Sequence, residues 1–349
     1  MRALILGVGG QDGSFLADLL LSKGYDVHGV VRHSSHGPDN LWRIQHLLNQ
    51  QGNHLSECNT KHRGCSPACP KDISERLTLH SGDLLDPFSI RKVIEETNPA
   101  EMFNLADQDH VGFSLATPAY SMAVTAGGAM TVLEAVRQVS KNIRVFQPCS
   151  ATQFGCAPAP QHERTPFAPQ SPYAVAKCAA FYAAQHYRRE HGMHVSTAIL
   201  YNHDSVRRRG DYLLHKICQG VARIAQGVQD ELVLGDLSML VDIGHAPEYV
   251  EGMWKILQQD KPDDFILASD DAWSIRDITR HAFEAAGVPS QFEGRVRSDS
   301  AFARPGPQPQ LIGHTAKARR TFGWNPQQNV MDVVELLVRH YESSMETIA

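Results

Sequence analysis

No stretch of this 349-residue chain is apolar for long enough to span a bilayer as a helix, which excludes a transmembrane anchor of that kind. A basic stripe is also missing. The 33 Lys and Arg stand against 38 Asp and Glu, and a net charge of −5 leaves no electrostatic footprint for nucleic acid. No internal repeat and no low-complexity segment is present. Met1-Arg2 leads straight into the apolar Ala3–Leu6, without the charged region and cleavage site of a signal peptide, so a cytoplasmic location is expected.

Cysteines are few, odd in number and unevenly spread: seven in all. Cys149, Cys156, Cys178 and Cys218 fall in apolar segments and read as small core residues. Cys58, Cys65 and Cys69 share one polar stretch with His54 and His62, but no C-x-x-C pair is formed. That spacing fits a zinc site only loosely, and no metal is expected. The stretch Asn49–Ser74 reads as a surface insertion with reduced thiols.

What is present is a rhythm. Short apolar strands are expected at Ala3–Leu6, Val27–Val31, Leu77–His80, Met102–Leu105 and Arg144–Gln147. They alternate with helical spacing over Ser14–Ser22, Phe88–Glu96, Ala126–Gln138 and Tyr173–Glu190. Alternation of this kind builds a parallel sheet covered on both faces. After Leu200 the pattern loosens and prolines mark turns, with Arg304–Gln310 read as extended. The expected fold is α/β: a Rossmann-type doubly wound parallel sheet with a smaller C-terminal substrate-binding lobe. The expected division is a dinucleotide domain over 1–200, rejoined by 233–258, and a lobe drawn mainly from 201–349.

The first strand runs into Gly7-Val-Gly-Gly-Gln-Asp-Gly13, which opens the first helix. Gly7 permits a tight turn, Gly10 lets backbone approach a pyrophosphate, and Gly13 allows helix to pack on strand; Gln11 and Asp12 complete the motif. The anion then rests on the helix N-terminus. A glycine triplet alone marks only a turn; its strand–turn–helix context makes it a dinucleotide site. NAD sites usually carry an acid at the end of the second strand, and none is present. Arg32, Ser34 and Ser35 stand there instead and suit a ribose 2′-phosphate, so NADP is the expected cofactor. Asp83 and Leu84, after a further strand, are placed to meet the adenine.

Tyr173 and Lys177 are four apart in Ser171-Pro-Tyr-Ala-Val-Ala-Lys177, hence on one face of a helix. An ammonium near a phenol favours the phenolate. Such a phenol exchanges a proton with a sugar hydroxyl while hydride moves to or from nicotinamide. Ser150, upstream at a strand end, is expected to hydrogen-bond the same oxygen.

Together these residues resemble the extended short-chain dehydrogenase/reductase family, and within it the GDP-mannose 4,6-dehydratases, nearly end to end. The supporting stretches are Gly10–Ser14, Tyr25–Arg32, Asn202–Arg208, Gly244–Val250 with Met253-Trp254, and Phe322-Gly-Trp324. The resemblance implies that Leu105, Ala106, Tyr120, His203 and Arg208 join the cofactor site. It implies substrate contacts from Gln108, Asp109, Asn202, Arg207, Lys216 and Arg304. It also implies a homo-oligomer, a tetramer built partly through His33–Arg43.

Against that pattern the chain departs in places that matter. Ser150 replaces the usual threonine, and Thr152 replaces the glutamate that removes the carbon 5 proton. A neutral hydroxyl is no general base at neutral pH. Ser150-Ala151-Thr152 resembles the motif of UDP-galactose 4-epimerases, which need only serine, tyrosine and lysine. Asp107 and Asp109 stand where the dehydratases carry small residues, and either is open as a relocated base or as a simple binding group. Leu240-Val241 replaces a Lys-Arg pair and Pro307 an acid, which weakens the case for GDP. The expected function is an NADP-dependent sugar-nucleotide enzyme working by hydride transfer at carbon 4 of a hexose, a GDP-hexose first. Epimerase or keto-reductase chemistry is favoured. A dehydratase with Asp107 or Asp109 as base and a non-catalytic NADP-binding partner protein are the alternatives.

Overall fold

The computed structural model describes residues 1–34, 37–38, 41–48, 76–299 and 310–346. Ser35, Arg304, Pro307 and the cysteine-bearing stretch with Cys58, Cys65, Cys69, His54 and His62 lie outside the described residues.

Seven strands form one sheet: β1 (Arg2–Leu6), β2 (Asp26–Val31), β3 (Leu77–Ser81), β4 (Glu101–Asn104), β5 (Arg144–Ser150), β6 (Val195–Leu200) and β7 (Asp264–Leu267). Their spatial order is β7-β6-β5-β4-β1-β2-β3. The pairings β1–β2, β2–β3, β1–β4 and β4–β5 are all parallel. Strand β1 therefore has β2 on one side and β4 on the other, which is the switch point where doubly wound sheets take ligands. Its residues Ala3–Leu6 are buried, as a strand covered on both faces must be.

Two boundaries differ from the expected ones. Leu105 leaves β4 and donates its N–H to the Leu6 carbonyl at 3.0 Å, so it begins a loop instead of ending a strand. β5 runs past Gln147 through Pro148 to Ser150. Proline argues against a strand interior because it has no N–H to give; here its carbonyl remains available, and it is used by Lys177. The expected helix from Ala126 is split. A π-helical turn, Met122–Gly127, leads into α3, Gly128–Val139. The other helices on this sheet are α1 (Gln11–Ser22), α2 (Pro87–Thr97) and α4 (Pro172–His191). Asp86 caps α2 by accepting from the Phe88 N–H, and Ser171 caps α4 by accepting from Ala174.

The chain divides into two compact units. The first comprises Met1–Cys149, Ser171–Thr197 and Met253–Asp263; the second comprises Ser150–Gln170, Ala198–Gly252 and Asp264–Ala349. The division thus falls at Thr197, sets Ser150–Gln170 in the second unit, and returns 253–263 to the first. The first unit's core gathers Leu4, Leu6, Ile94, Met102, Val132 and Val145. The second is built on α5 (Leu213–Ala225), α6 (Ile275–Ala285) and α7 (Val330–Glu346), around Leu214, Val221, Phe283 and Leu337. Among the described residues no helix is long and apolar enough to cross a membrane.

Candidate active site

In the first unit, the turn after β1 is glycine by necessity. Gly7 has φ +79°, and a Cβ there would lie 2.8 Å from both the Ala106 nitrogen and the Leu105 oxygen. At Gly13 a Cβ would fall 2.2 Å from the Gly7 carbonyl oxygen. Gly10 is the extended N-cap of α1 and donates its N–H to Gly7 at 2.9 Å. These are contacts with backbone, which cannot yield. They leave a bare peptide cradle at a helix N-terminus, the form that accepts a pyrophosphate. Gln11 is buried and donates to the Asp12 carboxylate at 3.1 Å.

Arg32, past the end of β2, is exposed and donates to the Tyr120 hydroxyl at 3.1 Å, so two expected cofactor residues meet. Only the backbone of Ser34 is described. Asp83 accepts from the Leu85 N–H at 2.9 Å, which shapes the turn after β3. The Leu84 side chain is buried against Gly128, leaving its backbone for any adenine contact. Sequence reasoning missed Arg43. This buried arginine donates to the Gly9 carbonyl at 3.0 Å and so pins the glycine turn.

The loop after β4 carries the acids. Asp107 Oδ2 lies 2.6 Å from Lys177 Nζ, and both side chains are almost wholly enclosed. Asp107 Oδ1 accepts from the Gln108 N–H at 2.7 Å and from the Thr125 hydroxyl. Lys177 also donates to the Pro148 carbonyl at 3.1 Å, and its ammonium lies 5.7 Å from the centre of the Tyr173 ring. Burial pulls the Lys177 pKa down, but the Asp107 carboxylate and then the Tyr173 phenol more than reverse this, and the net direction is up. Lys177 is thus held as an ammonium beside Tyr173, which is itself buried. Gln108 is buried, accepts from Ser121 at 2.7 Å and donates to the His110 carbonyl at 3.0 Å, so its amide braces the loop. Asp109 is exposed.

Within the second unit, Ser150 N-caps a single 3-10 turn, Ala151–Phe154. Its hydroxyl accepts from the Thr152 N–H at 3.3 Å, while Gln153 Oε1 accepts from the Ser150 N–H at 2.8 Å, a reciprocal capping box. The hydroxyls of Ser150 and Thr152 are 2.9 Å apart. Gly155 ends the turn with φ +52°, and a Cβ there would lie 1.8 Å from the Ala168 oxygen.

Asn202–Asp204 pairs in parallel with Ile243–His245. Asn202 is exposed, whereas His203 is buried, stacked on Tyr249 at 4.5 Å between ring centres and bonded to the Tyr201 carbonyl at 2.8 Å. Arg208 pairs with Asp204 at 3.6 Å and lies over the Tyr212 ring at 3.8 Å. Arg207 donates its N–H to the Ser205 hydroxyl at 3.1 Å, and Lys216, half-buried in the first turn of α5, donates its own to the Tyr212 carbonyl at 2.9 Å. Asp242, in the stretch that departs from the dehydratase pattern, accepts from Ser269 and from the Gly313 N–H. Burial still pushes its pKa up to about 6.

The model of the family described as GDP-mannose 4,6 dehydratase matches residues 4–337. GDP-mannose 4,6 dehydratase 2 of Caenorhabditis elegans is 39% identical, over 99% of this chain and 90% of that protein. Among solved structures, DesIV, a dTDP-glucose 4,6-dehydratase of Streptomyces venezuelae with NAD and TYD bound, superposes with a TM-score of 0.80 at 19% identity, covering 99% of this chain and 98% of that one. RMD of Pseudomonas aeruginosa, solved with NADPH, superposes with a TM-score of 0.75 at 20% identity, covering 98% and 99%. The fold of those structures is shared, and the near full-length match carries the identification: the chain belongs to the GDP-mannose 4,6-dehydratase family.

Proposed function

We propose that this chain is a cytoplasmic, NADP-dependent sugar-nucleotide enzyme that moves hydride at carbon 4 of a hexose, and that it reduces or epimerises instead of dehydrating. The observation that carries this reading is Thr152. Its neutral hydroxyl, 2.9 Å from that of Ser150, stands at the position that the family resemblance gives to the base of elimination.

The cradle at Gly7, Gly10 and Gly13 fits a dinucleotide, and Arg32, without an acid beside it, supports a 2′-phosphate and hence NADP. When bound, the dinucleotide supplies the hydride acceptor and donor. Tyr173 then takes the proton from the carbon 4 hydroxyl, Lys177 stabilises the phenolate, and Ser150 donates to the same oxygen as it becomes a carbonyl. Asn202, Arg207 and Lys216 are assigned to the sugar and diphosphate.

Family membership favours a second reading, dehydration with a relocated base. Asp107 is poorly suited to it, because Lys177, Thr125 and the Gln108 N–H already occupy its oxygens. Asp109, exposed on the same loop, is the candidate that remains. A homo-oligomer is supported by exposed apolar side chains on neighbouring helices of the first unit, Leu115, Met130, Val175 and Tyr182 among them.

The deciding experiment incubates the protein with GDP-mannose and NADP in heavy water, followed by mass spectrometry and NMR of the sugar. An isomer of unchanged composition without ring deuterium supports epimerisation. A product lighter by one water, with deuterium at carbon 5, overturns our reading in favour of dehydration.

A further inference from the structure

One buried ion pair is left unused by the reaction as described. Asp107 enters from the loop after β4, Thr125 from the π-helical turn and Lys177 from α4, and the three meet beside Tyr173. A carboxylate in this position serves no hydride transfer directly. It does change what the phenol experiences. An ammonium alone favours phenolate; an ammonium with a carboxylate 2.6 Å away is close to a neutral dipole, and much of its field at the ring is cancelled.

We infer that Asp107 is a positioning residue that fixes Lys177 in place and tempers its field, so that Tyr173 ionises at a higher pH than the lysine alone would allow. Thr125 is the clamp that keeps the carboxylate turned toward Lys177. The inference rests on the assignment of Tyr173 and Lys177 as the proton-transfer pair.

The other groups around this pair do not account for such a field. Cys149, near the end of β5, also acts on Lys177, after Asp107 and Tyr173. On α3, Glu134 is committed to Arg137 and to Tyr187, which lies well along α4 from Lys177. Tyr120 is engaged with Arg32, and His110 caps its own short helix by accepting from the Phe113 N–H. Asp109 is exposed, whereas the pair is enclosed.

The test is the tyrosinate absorbance titration of Tyr173, taken as the difference between each protein and its Tyr173→Phe counterpart, in the absence of sugar nucleotide. Asp107→Asn removes the charge and keeps the shape, and is expected to lower the titration midpoint by about one pH unit or more. The double variant Asp107→Ala/Thr125→Asp returns a carboxylate from the other side of the same contact, and is expected to restore the wild-type midpoint. This second protein decides the matter if Asp107→Asn does not fold. A merely structural role predicts loss of thermal stability with no movement of the midpoint. An unchanged or raised midpoint in Asp107→Asn, or a swapped variant whose midpoint stays away from wild type, overturns the inference. Because the titration needs no substrate, it stands or falls separately from the product analysis above. The acid limb of kcat/KM against pH, measured on any accepted sugar nucleotide, is expected to move in the same direction.

Discussion

The proposed chemistry turns on Thr152 and Tyr173, and each is open to a single substitution. Thr152→Glu introduces a carboxylate where elimination needs one; general base help is worth about 10²–10⁴-fold. Water loss from GDP-mannose, followed as the mass of the nucleotide sugar, is expected to rise in that variant by about that factor. Tyr173→Phe removes the proton acceptor and is expected to slow reduction of NADP by roughly 10²–10⁴-fold in single turnover, read at the NADPH absorbance, with cofactor affinity little changed. The four-residue spacing of Tyr173 and Lys177 was legible because helical periodicity places them on one face. The tie between Lys177 and Asp107 was not. It joins a helix to a loop far away in the chain, and no local pattern records such a contact. Asp107 drew notice as an acid in place of a small residue, open as a relocated base or a binding group, and its partner emerged from the packing.

At the scale of elements, the glycine turn and the serine turn are both shaped by close backbone approach. Gly13→Ala drives a Cβ to 2.2 Å from the Gly7 oxygen and 2.8 Å from the Val8 Cα. Neither neighbour is a flexible side-chain end. The substitution is expected to cost about 1–3 kcal/mol, seen as a lowered urea midpoint, and to abolish dinucleotide binding measured by calorimetry. Here the sequence was informative: strands, helices and the motif sit within a few residues of their expected places. The misses have physical reasons. The expected strand stopped at Gln147, yet Pro148 stays in β5, and its carbonyl accepts from Lys177. The π-helical turn at Met122–Gly127 keeps helical spacing to the eye, so periodicity reads it as the start of α3. Arg43 escaped notice because its role is to a carbonyl of the glycine turn, and backbone acceptors leave no trace in sequence.

For the whole molecule, a half-buried histidine and a buried aspartate pull stability in opposite directions in mild acid. Burial, with Arg144 and Arg188 nearby, lowers the His194 pKa to about 4. The unfolded chain, near 6.5, takes that proton first as pH falls, so the stability His194 contributes above 6.5 is lost on descent toward about 4. Asp242 runs the other way. Its folded pKa of about 6 lies above the unfolded 3.8, so the folded state holds the proton more tightly and stability declines as pH rises from about 4 to 6. Melting temperature measured across that window is expected to rise less steeply with pH in His194→Gln and more steeply in Asp242→Asn. The doubly wound class was legible in the alternation of strand and helix. The assignment of Ser150–Gln170 to the second unit was not, since the prolines of that segment mark turns without recording which unit it packs with.

The contact between Gly7 and the backbone of Leu105 and Ala106 bears on how the protein is made. The dinucleotide motif is complete after thirteen residues, but its floor is laid by chain that follows β4. A nascent polypeptide therefore carries the whole fingerprint long before it owns a binding surface, and β4 must align with β1, Ala3 against Glu101 through Leu6 against Asn104, for the surface to exist. During synthesis a dinucleotide finds no complete cradle until the chain beyond β4 has emerged, so it cannot template the domain's beginning.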